Sequence, residues 1–169
     1  FSDNRSAVIE AALRLWQAGG KSRLIGLTGP PGVGKSTLAS RLIRDVRARG
    51  QTVAVLAVDP SSPIGGGAVL GDRVRMQQSA TDPGVFIRSM SARGAFGGLS
   101  RTAGDALMVL DAMGFDTILV ETVGVGQTEV EIAAFCPCVV LVQSASGGDV
   151  VQAIKAGIVE IASIYAVSK

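Results

Sequence analysis

The sequence predicts an α/β fold, a mostly parallel β-sheet with helices on both faces. Short β-rich segments alternate along the 169 residues with segments of helical period, which is typical of parallel strands joined by crossover helices. Most of the β-rich segments are continuous apolar runs, as expected for strands covered on both faces. The 22 glycines cluster in a few loops, which indicates that the domain contacts a ligand through its backbone.

The predicted elements alternate in order along the chain. The six strands are 24–28, 52–58, 85–88, 117–121, 139–143 and 164–167. The five helices are 5–18, 36–49, 70–80, 99–113 and 150–161. Helix 36–49 shows the pattern best, because Leu38, Leu42 and Val46 share one face and Gly50 is a natural stop.

The amino-terminal helix is predicted to lie outside the sheet domain. Its apolar face is expected to pack on the sheet or on a neighbouring element, and it consists of Val8, Ala12, Leu15 and Trp16. We therefore divide the chain into an N-terminal helix, 1–20, and a domain, 21–169. The chain begins at Phe1 and stops at Lys169 after an apolar run, so we expect a fragment of a longer protein.

Composition and charge exclude several classes of partner. The net charge is only +2, and no run of Lys and Arg resembles a nucleic-acid or anionic-membrane patch. No apolar stretch approaches the roughly 20 residues needed to span a bilayer. No signal peptide is visible. We therefore expect neither a nucleic-acid nor a membrane partner, and a location in the cytoplasm or in another reducing compartment such as the mitochondrial matrix.

The strongest local signal is a phosphate-binding loop. Residues 29–37 read GPPGVGKST between a predicted strand and a predicted helix, which matches the P-loop pattern. Glycines let backbone N–H groups converge on one phosphate, and the helix start adds partial positive charge. The predicted nucleotide-binding residues in this loop are Gly29, Gly32, Val33, Gly34, Lys35, Ser36 and Thr37. Lys35 is expected at the β- and γ-phosphates, Ser36 at Mg²⁺ and Thr37 at the α-phosphate.

Acidic residues near strand ends are candidate partners of Mg²⁺. Asp59 follows the second strand and Glu121 ends the fourth, so both should face the ligand crevice at the carboxyl edge of the sheet. Asp72 lies in the intervening segment. Simpler structural roles remain open, since Asp59 also fits a turn cap and Asp72 a helix N-cap.

Glu121 also begins a candidate γ-phosphate sensor. With Gly124 it occupies the position of the Asp-x-x-Gly element of GTPases, although glutamate replaces the usual aspartate. In that element the carboxylate anchors the Mg²⁺ shell, and the glycine N–H senses the γ-phosphate. We therefore assign catalytic roles to Lys35, Glu121 and Gly124. Gln127 is a candidate for orienting water.

Together these motifs resemble one family, the MeaB/ArgK-type GTPases. The matching segments are GPPGVGKST at 29–37, VDPSSP at 58–63, LGDRVRM at 70–76, RSMSARGAFGGLSR at 88–101, ETVGVGQTEVE at 121–131 and GGDVVQAIKAGIVEIA at 147–162. The resemblance implies the P-loop G domain shared with signal-recognition and nickel-insertion GTPases. It implies GTP or GDP with Mg²⁺ as ligands, and Ser36, Asp59, Asp72 and Glu121 in the metal shell.

The resemblance further implies a chaperone. GTP hydrolysis would gate the loading of cobalamin into an adenosylcobalamin-dependent acyl-CoA mutase, or would protect that mutase. The full-length protein would form a homodimer through a C-terminal helical segment, which we expect to be missing from this fragment. Segments near 60–72, 122–130 and 144–155 would be its switches. One departure concerns base recognition. Ser168 and Lys169 stand where the family has the Asn-Lys of Asn-Lys-x-Asp, and the aspartate lies beyond the sequence. The resemblance implies that Ser168 and Lys169 bind the nucleotide at its base.

Two other functions remain open. A P-loop kinase would need an acceptor pocket and usually a catalytic base, for which no histidine and no clearly suited carboxylate is available. A nickel-insertion GTPase would favour a Cys/His metal cluster. Only Cys136 and Cys138 could contribute to one, and we expect both to be core residues at the start of a strand.

Overall fold

The computed structural model describes residues 10, 14, 17, 19–59, 81–91, 98–122, 133–145 and 158–168, with the backbone alone for 59, 91, 98–102 and 158. Within these ranges the chain forms a six-stranded sheet in the order β3-β2-β4-β1-β5-β6. The strands are β1 (Arg23–Thr28), β2 (Val53–Asp59), β3 (Val85–Ser91), β4 (Thr117–Thr122), β5 (Cys138–Ser144) and β6 (Ile164–Ser168). Every pairing between neighbours is parallel.

The helices cover both faces of the sheet. They are α1 (Lys35–Ala48), α2 (Gly98–Ala112) and the short α3 (Ile158–Ile161). On one face Ile43 of α1 packs with Leu27 and Leu119 of the sheet. On the other face Leu107 of α2 packs with Ile118 and Val120. Strands β1, β2 and β4 thus bury apolar side chains on both faces, which explains their continuous hydrophobic runs.

Carboxylates hold the amino-terminal edge of the sheet. Asp116 accepts hydrogen bonds from the Thr52 backbone N–H at 2.7 Å and from its hydroxyl at 2.9 Å, and these lower the pKa of the carboxyl. Asp82 accepts two hydrogen bonds from the Arg47 guanidinium, both at 2.9 Å, which lower its pKa in the same way. The edge opposite the phosphate loop is therefore tied by local polar contacts.

The described strands confirm the predicted alternation, and their ends coincide with the predicted ones or differ by at most three residues. The largest difference is β3, predicted over 85–88 and observed to Ser91, because its backbone pairs with β2 as far as Asp59↔Ser91 whatever the side chains are. Helices α1 and α2 match the predictions 36–49 and 99–113 to within one residue at each end. The predicted helix 70–80 lies outside the described residues. Of the predicted helix 150–161, residues 158–161 are described.

The predicted N-terminal helix is described at three positions. Residues 10, 14 and 17 are helical and exposed, and the Glu10 carboxylate accepts a hydrogen bond from the Arg14 guanidinium at 2.7 Å. The predicted apolar residues of this helix lie outside the described ranges, so their packing stays a prediction. In the part of the chain that the structure covers, no helix is long and apolar enough to cross a membrane.

Candidate nucleotide-binding site

Three glycines shape the loop between β1 and α1. Gly29, Gly32 and Gly34 have φ angles of 137°, 80° and 95°, a region that other residues rarely adopt. Gly29 is also packed tightly, because a Cβ added there would lie 2.1 Å from the backbone oxygen of Val142. The loop therefore requires glycine both for its backbone conformation and for its close approach to β5.

The loop leads into the amino end of α1, where a phosphate would be stabilised. No acidic residue lies in the first turn of α1, so the partial positive charge of the helix start is not offset by a carboxylate there. The side chain of Val33 is buried, whereas Thr37, in the first turn of α1, is exposed. The roles of Val33 and Thr37 in phosphate binding stay predictions.

Lys35 is buried within the loop. Its exposed fraction is 6%, and its ammonium donates hydrogen bonds to the carbonyl oxygens of Gly29 at 2.6 Å and Pro30 at 2.8 Å. The side chain therefore folds back across the loop that it follows in sequence. This places a buried positive charge within the phosphate loop. Its attraction for a phosphate would be stronger there than in water, because the surroundings have a low dielectric constant.

Ser36 and Glu121 meet at the carboxyl edge of the sheet. The Ser36 hydroxyl donates a hydrogen bond to Glu121 Oε1 at 2.8 Å, although the residues are 85 positions apart. Both side chains are buried. The contact is possible because β1 pairs with β4 in the register Leu27↔Glu121, which brings the end of β4 beside the loop after β1. The pair presents two hard oxygen donors of the kind that Mg²⁺ prefers.

Ser168, predicted to contact the base, also lies beside the phosphate loop. A Cβ built on Gly34 would lie 4.0 Å from the Cβ of Ser168. The end of β6 thus reaches the last glycine of the loop. The structure describes Asp59 by its backbone, as the last residue of β2. Gly124, Asp72 and Lys169 lie outside the described residues, as do Gln127, Gln152 and Lys155.

Sequence reasoning missed the contacts that join the loop to its neighbouring strands. The Thr122 hydroxyl lies 3.3 Å from that of Thr28, linking the end of β4 to the residue before Gly29. Their positions at the ends of apolar strands were a signal that both sit at this edge. Nothing in the sequence indicated that Val142 would contact Gly29 or that Pro30 would accept a bond from Lys35.

The two cysteines lie at the opposite end of β5. Cys136 is buried in the core as predicted, and burial, with a smaller contribution from Cys138, raises the pKa of its thiol to about 12. Cys138 is half-buried and packs on the face of the sheet that α1 covers. No group of three or more metal-ligating side chains forms within the described ranges.

A parallel sheet whose central strand leads through a glycine loop and a buried lysine into a helix defines a P-loop nucleotide-binding domain. The family model of MeaB, the methylmalonyl-CoA mutase-associated GTPase, matches residues 2–169. The chain belongs to this family. The resemblance inferred from the motifs is therefore confirmed.

Proteins of several organisms are similar to this chain. A putative GTPase of Pyrococcus horikoshii is 56% identical over 92% of this chain and 49% of its own length. The GTPase ArgK of Escherichia coli is 43% identical over 89% of this chain and 45% of its own. The mitochondrial methylmalonic aciduria type A homolog of Mus musculus is 42% identical over 86% of this chain and 35% of its own length. The chain thus spans half or less of the length of these relatives.

Solved structures confirm the fold. The crystal structure of an LAO/AO transport system kinase is similar with a TM-score of 0.71 and 30% identity, over 95% of this chain and 45% of that one. Signal recognition particle receptor FtsY from Elizabethkingia anophelis in complex with GDP has a TM-score of 0.63 at 19% identity, over 94% and 55%. HypB from Helicobacter pylori in complex with nickel has a TM-score of 0.58 at 18% identity, over 96% of this chain and 70% of that one. The last two likenesses bear on the fold alone.

Proposed function

We propose that this chain is the nucleotide-binding part of a GTPase that controls cobalamin loading into, or protection of, an acyl-CoA mutase. The observation that carries the nucleotide half of this proposal is the convergence of Lys35, Ser36 and Glu121 at one glycine loop. Family membership supports the mutase half, because the family is named for its association with methylmalonyl-CoA mutase.

The phosphates would be bound mainly by the loop. Backbone N–H groups of 29–37 and the start of α1 would surround the β-phosphate, and Lys35 would contribute its charge to the β- and γ-phosphates. Lys35 already lies within the loop, bonded to two of its carbonyl oxygens, so only a short movement of its ammonium would be needed. Little of the binding geometry would have to be created when the nucleotide arrives.

Mg²⁺ fits the oxygen donors present. The Ser36 hydroxyl donates its proton to Glu121, which leaves the serine lone pairs available for a cation, and Glu121 would hold that orientation. Asp59 and Asp72 would complete the shell with water. The ion would supply charge neutralisation between the β- and γ-phosphates. Gly124 would sense the γ-phosphate through its backbone N–H.

Hydrolysis is expected to be slow in isolation. No arginine is assigned to the transferring phosphate by motif. The candidates are Arg73, Arg75, Arg93 and Arg101, and the sequence does not choose among them. A P-loop GTPase without such an arginine turns over at about 10⁻⁴ s⁻¹. A partner that contacts the segments after β2, β4 and β5 would therefore have a large effect on the rate.

The mutase, a homodimeric full-length form and the compartment are parts of the same proposal. The relative from Mus musculus is named as mitochondrial, which supports a mitochondrial matrix location for a eukaryotic member. For a bacterial member we propose the cytoplasm. The additional length of the relatives provides room for the dimer-forming segment that the family resemblance implies.

Replacing Lys35 tests the nucleotide site. Lys35→Ala should weaken triphosphate binding at least about tenfold and remove most hydrolysis, because charge-assisted hydrogen bonds to phosphate are lost. Arg41→Ala is the matched control, since Arg41 is an exposed cation on the same helix. Calorimetry with a slowly hydrolysed GTP analogue and phosphate-release assays would measure the two effects. Unchanged affinity and turnover in the Lys35 variant would disprove the assignment.

A small-molecule kinase is the second candidate, because a protein of known structure that is 30% identical to this chain is named a transport system kinase. The two functions differ in products. A GTPase releases phosphate to water and prefers GTP to ATP in the full-length protein, whereas a kinase transfers phosphate to an acceptor. Equal affinity for both nucleotides together with a phosphorylated small molecule would favour the kinase.

A further inference from the structure

Ser168 connects the last two strands of the sheet at their carboxyl ends. It pairs in register with Ser144 of β5. Its carbonyl oxygen accepts a hydrogen bond from the Ala145 N–H at 3.2 Å, and its hydroxyl donates to the carbonyl oxygen of Gln143 at 3.3 Å. Backbone and side chain of one residue thus hold the last two residues of β5 and the residue that follows them.

The same residue faces the phosphate loop. Its Cβ is the atom nearest to the position that a Cβ on Gly34 would take, at 4.0 Å. One residue before the segment held by Ser168, the backbone oxygen of Val142 is in close contact with Gly29. The first and last glycines of the loop therefore lie against a unit formed by the ends of β5 and β6.

We propose that Ser168 is a positioning residue that fixes the end of β5 against the phosphate loop, and that it does not read the nucleotide base. A hydroxyl has one proton to donate, and Ser168 donates it to Gln143. The inference rests on the proposed function, since it concerns the geometry in which GTP is hydrolysed.

The effect is expected on turnover more than on binding. The phosphates would be bound by many backbone N–H groups, so a small displacement of one wall changes affinity little. Chemistry depends more strongly on position, since misplacement by about 1 Å can reduce a rate about a hundredfold. Loss of one neutral hydrogen bond is a milder change, and we expect kcat to fall about three- to tenfold.

The experiment compares three forms of the full-length protein. Ser168→Ala removes only the hydroxyl, and Ser168→Thr retains it in a residue that suits a β-strand. For each form, kcat and KM for GTP and the ratio of GTP to ATP affinity are measured. We expect Ser168→Ala to lower kcat about three- to tenfold, with KM and the nucleotide preference within about twofold of the parent, and Ser168→Thr to restore kcat.

Other outcomes would overturn the proposal. A changed preference between GTP and ATP with kcat retained would make Ser168 a base-reading residue. Unchanged kinetics in Ser168→Ala, or an equal loss in Ser168→Thr, would show that the hydroxyl does not position the loop. Including Lys35→Ala in the same series distinguishes a failure of the Ser168 proposal from a failure of the proposed function. If that variant keeps full turnover, the proposed function fails, whatever Ser168 does.

Discussion

At the scale of single residues, glutamate at position 121 has a clear geometric consequence. The motif to which it belongs usually has aspartate, and the longer side chain here reaches Ser36 directly, with 2.8 Å between oxygen atoms. The hydroxyl proton is thereby directed toward the carboxylate. The departure from the common motif is therefore compatible with a metal-binding role rather than evidence against one.

Two glycines of the phosphate loop should differ in their tolerance of alanine. Gly29→Ala would place a Cβ 2.1 Å from the backbone oxygen of Val142, in a strand that cannot shift without losing its pairing with β1. Strain and overpacking together should cost about 3 kcal/mol or more. Gly32→Ala meets no atom within 4 Å and carries only the strain of its φ of 80°, about 1 kcal/mol.

Urea unfolding of the two variants provides the comparison. Gly32→Ala serves as the control for a Cβ added at positive φ where no atom lies within 4 Å. Equal losses of unfolding free energy in the two variants would show that the contact between Gly29 and Val142 does not limit the packing of the loop.

At the scale of elements, α2 is tied to the segment that precedes β1. Asp111, near the end of α2, accepts hydrogen bonds from the backbone N–H groups of Gly20, Lys21 and Ser22. The Ser22 hydroxyl donates to the Phe115 carbonyl oxygen at 2.6 Å. Burial alone would raise the pKa of the Asp111 carboxyl, but these hydrogen bonds outweigh burial and lower it.

This contact predicts acid-sensitive stability. Because the folded pKa of Asp111 lies below its unfolded value of about 4, the stabilisation is fully present above that pH and is lost as pH falls through the folded pKa. Asp111→Asn should unfold about 1 kcal/mol more easily at pH 7, and the difference should shrink toward pH 3. Urea unfolding at both pH values measures this.

An exposed carboxylate on the same helix provides the control. Asp105→Asn removes an equal charge from α2, and we expect it to change stability little at either pH. A constant difference between the parent and Asp111→Asn across the pH range would contradict the assigned role of the carboxylate.

At the scale of the whole molecule, strands β2, β4 and β5 all end at the edge of the sheet that carries the phosphate loop, and each is followed by a further segment of the chain. The contacts of Thr122 with Thr28 and of Val142 with Gly29 join the ends of β4 and β5 to the phosphate loop. A partner that binds those segments would act on the nucleotide through these contacts, provided that it binds the two nucleotide states differently.

The proposed coupling predicts that a mutase accelerates the full-length GTPase. The basal rate should be about 10⁻⁴ s⁻¹, the rate of a GTPase that lacks an arginine finger. Gln152 and Lys155 belong to the proposed switch 144–155, and their spacing of three predicts that they project from one face of a helix. Replacing both by alanine should leave GTP affinity nearly intact but reduce the acceleration. Phosphate release with and without the mutase measures both effects. A fast basal rate, or normal acceleration of the double variant, would contradict the coupling.

The sequence alone was sufficient to predict the α/β class, the order of the strands along the chain, the phosphate loop and the family. These features depend on local patterns: apolar runs, helical period and glycines at fixed spacing before Lys35 and Ser36. Residues close together in sequence determine them, so no knowledge of the rest of the fold is needed.

Only the tertiary structure decided how the sheet is ordered and what meets at the loop. The order β3-β2-β4-β1-β5-β6 places β4 and β5 on either side of β1, and that arrangement brings Glu121 to Ser36 and Val142 to Gly29. Parallel pairing is set by which buried faces pack together across the whole domain. Contacts between residues about a hundred positions apart therefore cannot be predicted from local patterns in the sequence.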